Sequence, residues 1–175
     1  FAANRRLLRD GKVAMSANRE GAVDHTVPVL RVTDENDRTV AILFGYACHN
    51  TTLQGYQYSG DYAGFAQIAL EKSHPEATAL FMIGCGGDAN PDPRGTVELA
   101  EQHGRALAEA VETVLGQKLA PVEGPLRMAM ARVDLPLVDP PSNQELIERR
   151  GQGNIYQQRL TEHLLAQIEA EGSLP

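Results

Sequence analysis

The sequence predicts an α/β fold, with a mixed or mostly parallel sheet and flanking helices. Three observations lead there. Two continuous apolar runs, TVAILFGYAC (39–48) and ATALFMIG (77–84), have the length and β-rich composition of strands buried on both faces. The segment between them, DYAGFAQIALEKSHP (61–75), reads as a helix that Asp61 can N-cap and His74-Pro75 ends. Strand, helix and strand in that order form a βαβ unit, whose crossover makes parallel neighbours and is nearly always right-handed.

The other elements follow along the chain. Residues 1–25 are polar and mixed, with turn signals at Asp10-Gly11 and at Asn18-Arg19-Glu20, and no element is assigned there. VPVLRVT (27–33) alternates as a strand and DENDR turns the chain into the first apolar run. TVELAEQHGRALAEAVETVLG (96–116) is the clearest helix. Its stripe is Leu99, Ala106, Leu107, Ala110, Val111 and Val114, and Gly116 suits its end. LRMAMARVDLPL (126–137) alternates with a slip of phase, so it predicts a strand with a bulge near Ala131–Arg132. Next come a linker, a capping box of Ser142 with Glu145, and a final helix broken at Gly151-Gln152-Gly153. Leu160, Leu164, Leu165 and Ile168 fall on one face of its second half, which needs a partner surface.

Composition narrows the function. The chain has 175 residues, 42 % hydrophobic and 22 % charged, enough for one domain with a real core. A net charge of −7 and the lack of a basic cluster argue against nucleic acid or an anionic membrane as partner. No apolar run reaches the length of a membrane span. The chain opens and closes like mid-protein sequence, so it is expected to be an internal fragment. Cys48 and Cys85 each end an apolar run and read as buried free thiols.

Parallel strands end on one edge of a sheet, and ligands of open α/β sheets bind beyond that edge. His49 follows the first apolar run and CGGDANPDP (85–93) follows the second, so the two clusters should face one crevice. His49, flanked by hydroxyls, could give one ring nitrogen to a metal while the other is held by an acceptor; it could equally be a hydrogen-bonded structural histidine. In an extended segment Cys48 and His49 point to opposite faces, so Cys48 should enter the core and His49 the crevice. Gly84, Gly86 and Gly87 permit tight turns, and backbone amides there could hold an anion or oxyanion. Asp88, Asn90 and Asp92 could orient a ligand. The same loop could cradle a phosphate, although no GxGxxG or GKS/GKT is present, or be a structural Gly-Asp turn. Ser59 and Asp61 are either site residues or helix-capping residues, and Thr51 and Thr52 either site walls or an ordinary turn. His25, His74, His103 and His163 have no metal spacing and read as structural. Nothing completes a Ser/His/Asp triad or a four-ligand zinc site.

The order NRR, AVDHTVPVLRV, CHNTT, SGDYAGF and GCGGDANP, from about Asn4 to Ala110, resembles the neutral/alkaline (non-lysosomal) ceramidase family and its bacterial relatives. The resemblance implies that residues 1–138 are the central part of a larger ceramidase-like α/β catalytic domain. Residues 139–175 would be a truncated helical segment of the same domain. It implies zinc held by two His, a Glu and a Tyr, of which His49 matches one; the other ligands would lie before Phe1 and after Pro175. It implies a small-molecule or lipid substrate, catalytic roles for Asp88 and Asn90, and substrate contacts at Gly86, Gly87, Thr51, Ser59 and Asp61. It further implies an extracellular or periplasmic location. The departure is Asn90, which stands where the family has a serine. An amide cannot be acylated as a hydroxyl can, but it can donate a hydrogen bond to an oxyanion. The resulting expectation is a zinc-dependent hydrolase of an amide (N-acyl) or related bond, inactive as this fragment. Two rivals stand beside it. One is a domain that has lost catalysis and binds a lipid, glycan or protein; the other is a small anion- or nucleotide-binding module.

Overall fold

Asp10 and Gly11 both adopt positive φ, 51° and 72°, and turn the chain in the two-residue hairpin that suits the twist of paired strands. The hairpin joins β1 (Ala2–Arg9) to β2 (Lys12–Asn18). The computed structural model describes residues 1–125, 127–136 and 138–174. The turn signal was legible but its strands were not, because the hairpin buries little. Leu8, Val13 and Met15 are 70 %, 63 % and 64 % exposed, so no buried face imposes an alternation. The short β6 (Ala89–Pro91) pairs with the start of β1, giving an antiparallel sheet of order β2-β1-β6.

The second sheet is the mixed one that the apolar runs predict. β3 (Val29–Thr33) pairs antiparallel with β4 (Thr39–Tyr46), and β4 pairs parallel with β5 (Thr78–Ile83) across α1 (Asp61–Ser73). The fold is therefore α/β as predicted, with one parallel pair and the remaining pairs antiparallel among the described residues. Burial on both faces is reached in β4, where Phe44, Gly45 and Tyr46 are all buried, but not in β5. β5 is the sheet edge and leaves Leu80 and Met82 about half exposed. The backbone of Ala79 on this edge is held by α1: Gln67 donates to its carbonyl and Glu71 accepts from its N–H.

α2 (Val97–Leu115) packs on α1 through small residues. A Cβ at Gly104 would stand 2.5 Å from the Cβ of Phe65 and 2.7 Å from the Tyr62 carbonyl, so only glycine permits this approach. That contact rotates the predicted stripe. Leu107 and Val111 are buried as expected, but Ala100, His103, Gly104 and Ala108 join them, and Ala106 is exposed. Ile42, Phe44, Tyr62, Leu70 and Val111 form the centre of the core. Phe1 stacks on His103, with ring centroids 4.4 Å apart, and meets Tyr46 and Tyr62 at 4.9 Å.

These elements belong to the first of two compact units, Phe1–Glu123; the second is Gly124–Pro175. In the second unit the strand expected over 126–137 does not form across residues 127–136. Leu126 and Leu137 lie outside the described residues. Alternation needs a partner strand to become a sheet, and Met128 and Met130 are 91 % and 93 % exposed. The expected capping box closes α3 (Asn143–Arg149), with Ser142 and Glu145 exchanging hydrogen bonds. The expected break follows, and a second box of Asn154 with Gln157 starts α4 (Ile155–Glu171). On its apolar face Leu160 is 57 % exposed and Leu164, Leu165 and Ile168 are half-buried.

Candidate functional site

β4 stops at Tyr46, so Cys48 and His49 lie just beyond the strand. They part as expected, although the chain bends at Ala47 and Cys48 rather than staying extended. Cys48 is fully buried, and burial pushes its thiol up to about 12. His49 turns to the loop that follows β5. Its Nδ1 lies 2.7 Å from the Gly86 carbonyl oxygen and 3.0 Å from that of Ala89. Carbonyls only accept, so Nδ1 carries the proton and donates, and in the neutral ring Nε2 keeps the free lone pair. The His49 backbone N–H also donates to Ala89 O at 3.0 Å. The parallel strand ends thus bring His49 against the 86–89 loop.

The glycines of that loop differ in what they do. A Cβ at Gly86 would stand 2.5 Å from Cys48 N and 2.6 Å from Ala47 C, so the loop lies directly on the backbone before His49. A Cβ at Gly87 would meet nothing within 4 Å. Cys85, expected buried, is exposed, because the apolar run it ends is an edge strand rather than a central one.

Asp61 was expected to N-cap α1. Instead it opens the helix at φ 51°, a conformation costly for a residue with a Cβ. Its carboxylate is buried and receives the backbone N–H groups of Thr52, Leu53 and Tyr62 at 2.8–3.1 Å. The Asp61 N–H donates to Ser59 Oγ at 3.0 Å. The Asp61 carboxylate therefore anchors the 52–53 turn to the helix start, and Tyr62 completes the clasp by donating its hydroxyl to the Cys48 carbonyl at 2.6 Å.

Asp88 is held from β1. Asn4 Nδ2 donates to Asp88 Oδ2 at 3.1 Å, and the Arg5 N–H donates to the Asp88 carbonyl at 2.7 Å. Asn90 sits on β6 opposite Ala3. It lines a cavity of about 240 Å³ with Arg5, Thr51, Asp92 and Arg94. Asn90 Oδ1, Thr51 Oγ1 and Arg5 Nε are each buried with no hydrogen-bond partner among the described residues. Asp92 is paired with Arg19 at 2.6 Å. Ser59, Asp61 and Asn50 line a different, wider cavity beneath the Tyr56–Tyr58 loop. The predicted residues thus divide: His49 meets Gly86 directly; Asn90 and Thr51 share one cavity wall; Ser59 and Asp61 line the other cavity, with Asp61 tied to the turn that follows Thr51. No group of three or more His, Cys, Asp or Glu side chains able to hold a metal forms among the described residues.

Asn4, Arg5 and Arg94 carry parts of this arrangement that spacing along the chain did not reveal. The one signal for Asn4 and Arg5 was the Asn4-Arg5-Arg6 motif itself, which has no local pattern to tie it to a loop 84 residues away, and the signal for Arg94 was its place directly after the 85–93 loop.

No protein-family model matches the chain, and no curated protein matches it significantly. Among solved structures, a ceramidase in complex with C2 is 21 % identical, covers 66 % of this chain and 20 % of its own, and superposes with a TM-score of 0.55. A neutral ceramidase from Pseudomonas aeruginosa is 18 % identical over 54 % of this chain and 17 % of its own, with a TM-score of 0.48. The chain spans about a fifth of the length of these structures. What it shares with the first is fold: this chain has the architecture of part of a ceramidase.

Proposed function

We propose that this chain is the central part of a zinc-dependent, ceramidase-like hydrolase domain that cleaves an amide (N-acyl) or related bond in a small-molecule or lipid substrate. The observation that carries the reading is the fixed tautomer of His49. Two carbonyls, at 2.7 and 3.0 Å, hold the Nδ1–H, and Nε2 is left as a ligand of set direction. His49 fits one position of a zinc site, and the remaining ligands would come from the parent protein outside this chain. Zinc in that position supplies Lewis-acid polarisation of the scissile carbonyl.

The chain's own residues would do the following. Asn90 donates its amide to the substrate or to a developing oxyanion, since it has no hydroxyl to acylate. Gly86 and Gly87 let the backbone approach. Thr51 offers a hydroxyl on the Asn90 wall, and Asp88, held by Asn4, keeps the loop in register. Ser59 and Asp61 bind substrate only through the shape of the turn they hold. The location that goes with this reading is extracellular or periplasmic; no helix among the described residues is long and apolar enough to cross a membrane.

Asn90 also supports a second reading, a domain that keeps the fold and binds a lipid, glycan or partner without hydrolysis. One experiment separates them. In the parent protein, His49→Ala should abolish zinc-dependent hydrolysis of N-acyl substrates while thermal unfolding shows a folded protein. Unchanged hydrolysis in that variant removes the metal role and leaves the binding reading.

A further inference from the structure

We infer that Tyr62 is the positioning residue of His49: its buried hydroxyl sets the tilt of the Cys48–His49 peptide plane and, through it, the direction in which Nε2 points. The inference rests on the hydrolase reading for what His49 does, not for how it is held. A peptide group is planar, so binding its two polar ends from different sides leaves it no rotation. Here the carbonyl of that plane accepts the Tyr62 hydroxyl at 2.6 Å, and its N–H donates to the Ala89 carbonyl at 3.0 Å. One end is thus held by α1 and the other by the start of β6.

A shared acceptor couples the plane to the ring. The Ala89 carbonyl that receives the His49 N–H also receives Nδ1–H at 3.0 Å. A tilt of the plane therefore draws the imidazole off the Gly86 and Ala89 oxygens, and Nε2 on the far side of the ring swings with it. The chain beyond His49 is held as well: Thr51 N–H donates to the His49 carbonyl at 3.0 Å, and Asp61 receives the next two N–H groups. Tyr62 has no freedom to follow a moving plane. It is fully buried, and its ring meets those of Phe1, Phe81 and Tyr46 at 4.9, 5.9 and 6.4 Å. The ring alone would fill that space. What the hydroxyl adds is the bond to the carbonyl next to His49, the kind of outer contact that aims a metal-binding imidazole.

Nitrogen NMR of the full chain, labelled at histidine and held in mildly alkaline buffer, tests this. Wild type should show the Nδ1–H tautomer of His49. In Tyr62→Phe the ratio of Nδ1–H to Nε2–H should fall at least roughly threefold. Tyr46→Phe is the matched control. It deletes the same atom from a neighbouring buried ring, whose hydroxyl meets Ala2 N–H and His25 instead, and should leave the ratio unchanged. A merely structural role for Tyr62 would lower the melting temperature and shift the ratio in neither variant. Should Tyr62→Phe fail to fold, Tyr62→3-fluorotyrosine keeps the ring and makes the hydroxyl a stronger donor; the Cys48 carbonyl carbon and His49 Nδ1 resonances should then move together. In the parent protein Tyr62→Phe should weaken zinc roughly tenfold or more. The inference is overturned by an unchanged ratio in Tyr62→Phe, by an equal fall in Tyr46→Phe, by a fluorinated ring that moves the carbonyl alone, or by unchanged zinc affinity in the parent protein. A parent protein that binds no zinc, beside a shifted ratio, overturns the hydrolase reading and leaves Tyr62 as the residue that positions His49.

Discussion

Replacing Gly86 by alanine tests whether the loop after β5 holds His49. The new Cβ would lie 2.5 Å from Cys48 N, 2.6 Å from Ala47 C and 2.8 Å from Cys48 Cα. All three are backbone atoms, so no side chain can swing aside and the loop must withdraw. Overpacking of this kind costs about 1–3 kcal/mol. Withdrawal also lengthens the 2.7 Å contact from His49 Nδ1–H to the Gly86 carbonyl, and a lost hydrogen bond adds about 0.5–1.5 kcal/mol. The expected loss is about 1.5–4.5 kcal/mol in urea denaturation. The control is Gly87→Ala, one residue on, where a Cβ meets nothing within 4 Å. That change should be neutral, or stabilise by up to about 1 kcal/mol by restricting the unfolded chain. Nitrogen NMR of the His49 ring gives a second readout: the Nδ1–H tautomer should dominate in wild type and Gly87→Ala, and mix with the Nε2–H form in Gly86→Ala. Equal stabilities and equal tautomer ratios in the two variants would refute the loop's role.

Asp61→Asn should destabilise by about 1.5–3 kcal/mol, because its amide offers one acceptor oxygen where the carboxylate serves three backbone N–H groups; chemical denaturation measures it. Tyr62→Phe should cost about 1–2 kcal/mol by removing the buried donor to the Cys48 carbonyl, read by the same method. A thiol reagent at neutral pH should modify Cys85 quickly and leave Cys48 untouched until the protein unfolds. Burial raises the Cys48 thiol from 9.0 to about 12 in the fold, so its stabilising contribution is complete below pH 9 and is lost as pH rises toward 12. Cys48→Ala should thus be less stable than wild type by about 1 kcal/mol at pH 7, with the gap closing under alkaline conditions in pH-dependent unfolding.

What was legible in the sequence depended on whether the physical cause was local. β4, α1 and α2 announce themselves because each buries a continuous run or a helical stripe. The meeting of His49 with the 86–89 loop followed from one topological fact, that parallel strands end together. The β1–β2 hairpin was hidden because exposed strands carry no burial pattern, and only its Asp10-Gly11 turn showed. The segment expected as a strand over 126–137 misled for the opposite reason, since it has the alternation of a strand and its described residues, 127–136, pair with no other strand. Cys85 was misjudged because an apolar run does not say whether it lies at the centre or the edge of a sheet. Asn4 and Arg5 reach the 88–94 region only through the β1–β6 register, in which Asn4 faces Ala89 and Ala3 faces Asn90. No local pattern encodes a pairing that distant.

That register also separates Asn90 from the groups that orient His49. His49 is oriented by main-chain oxygens, those of Gly86 and Ala89, and by no side chain of the loop. Asn90 follows Ala89 directly, but its backbone is held by Ala3 on β1 and its side chain looks onto the Arg5 and Arg94 cavity. A change of side chain at 90 can therefore alter what the cavity recognises without moving the imidazole. On the proposed reading, Asn90 would set the ligand that the cavity selects while His49 keeps its main-chain partners.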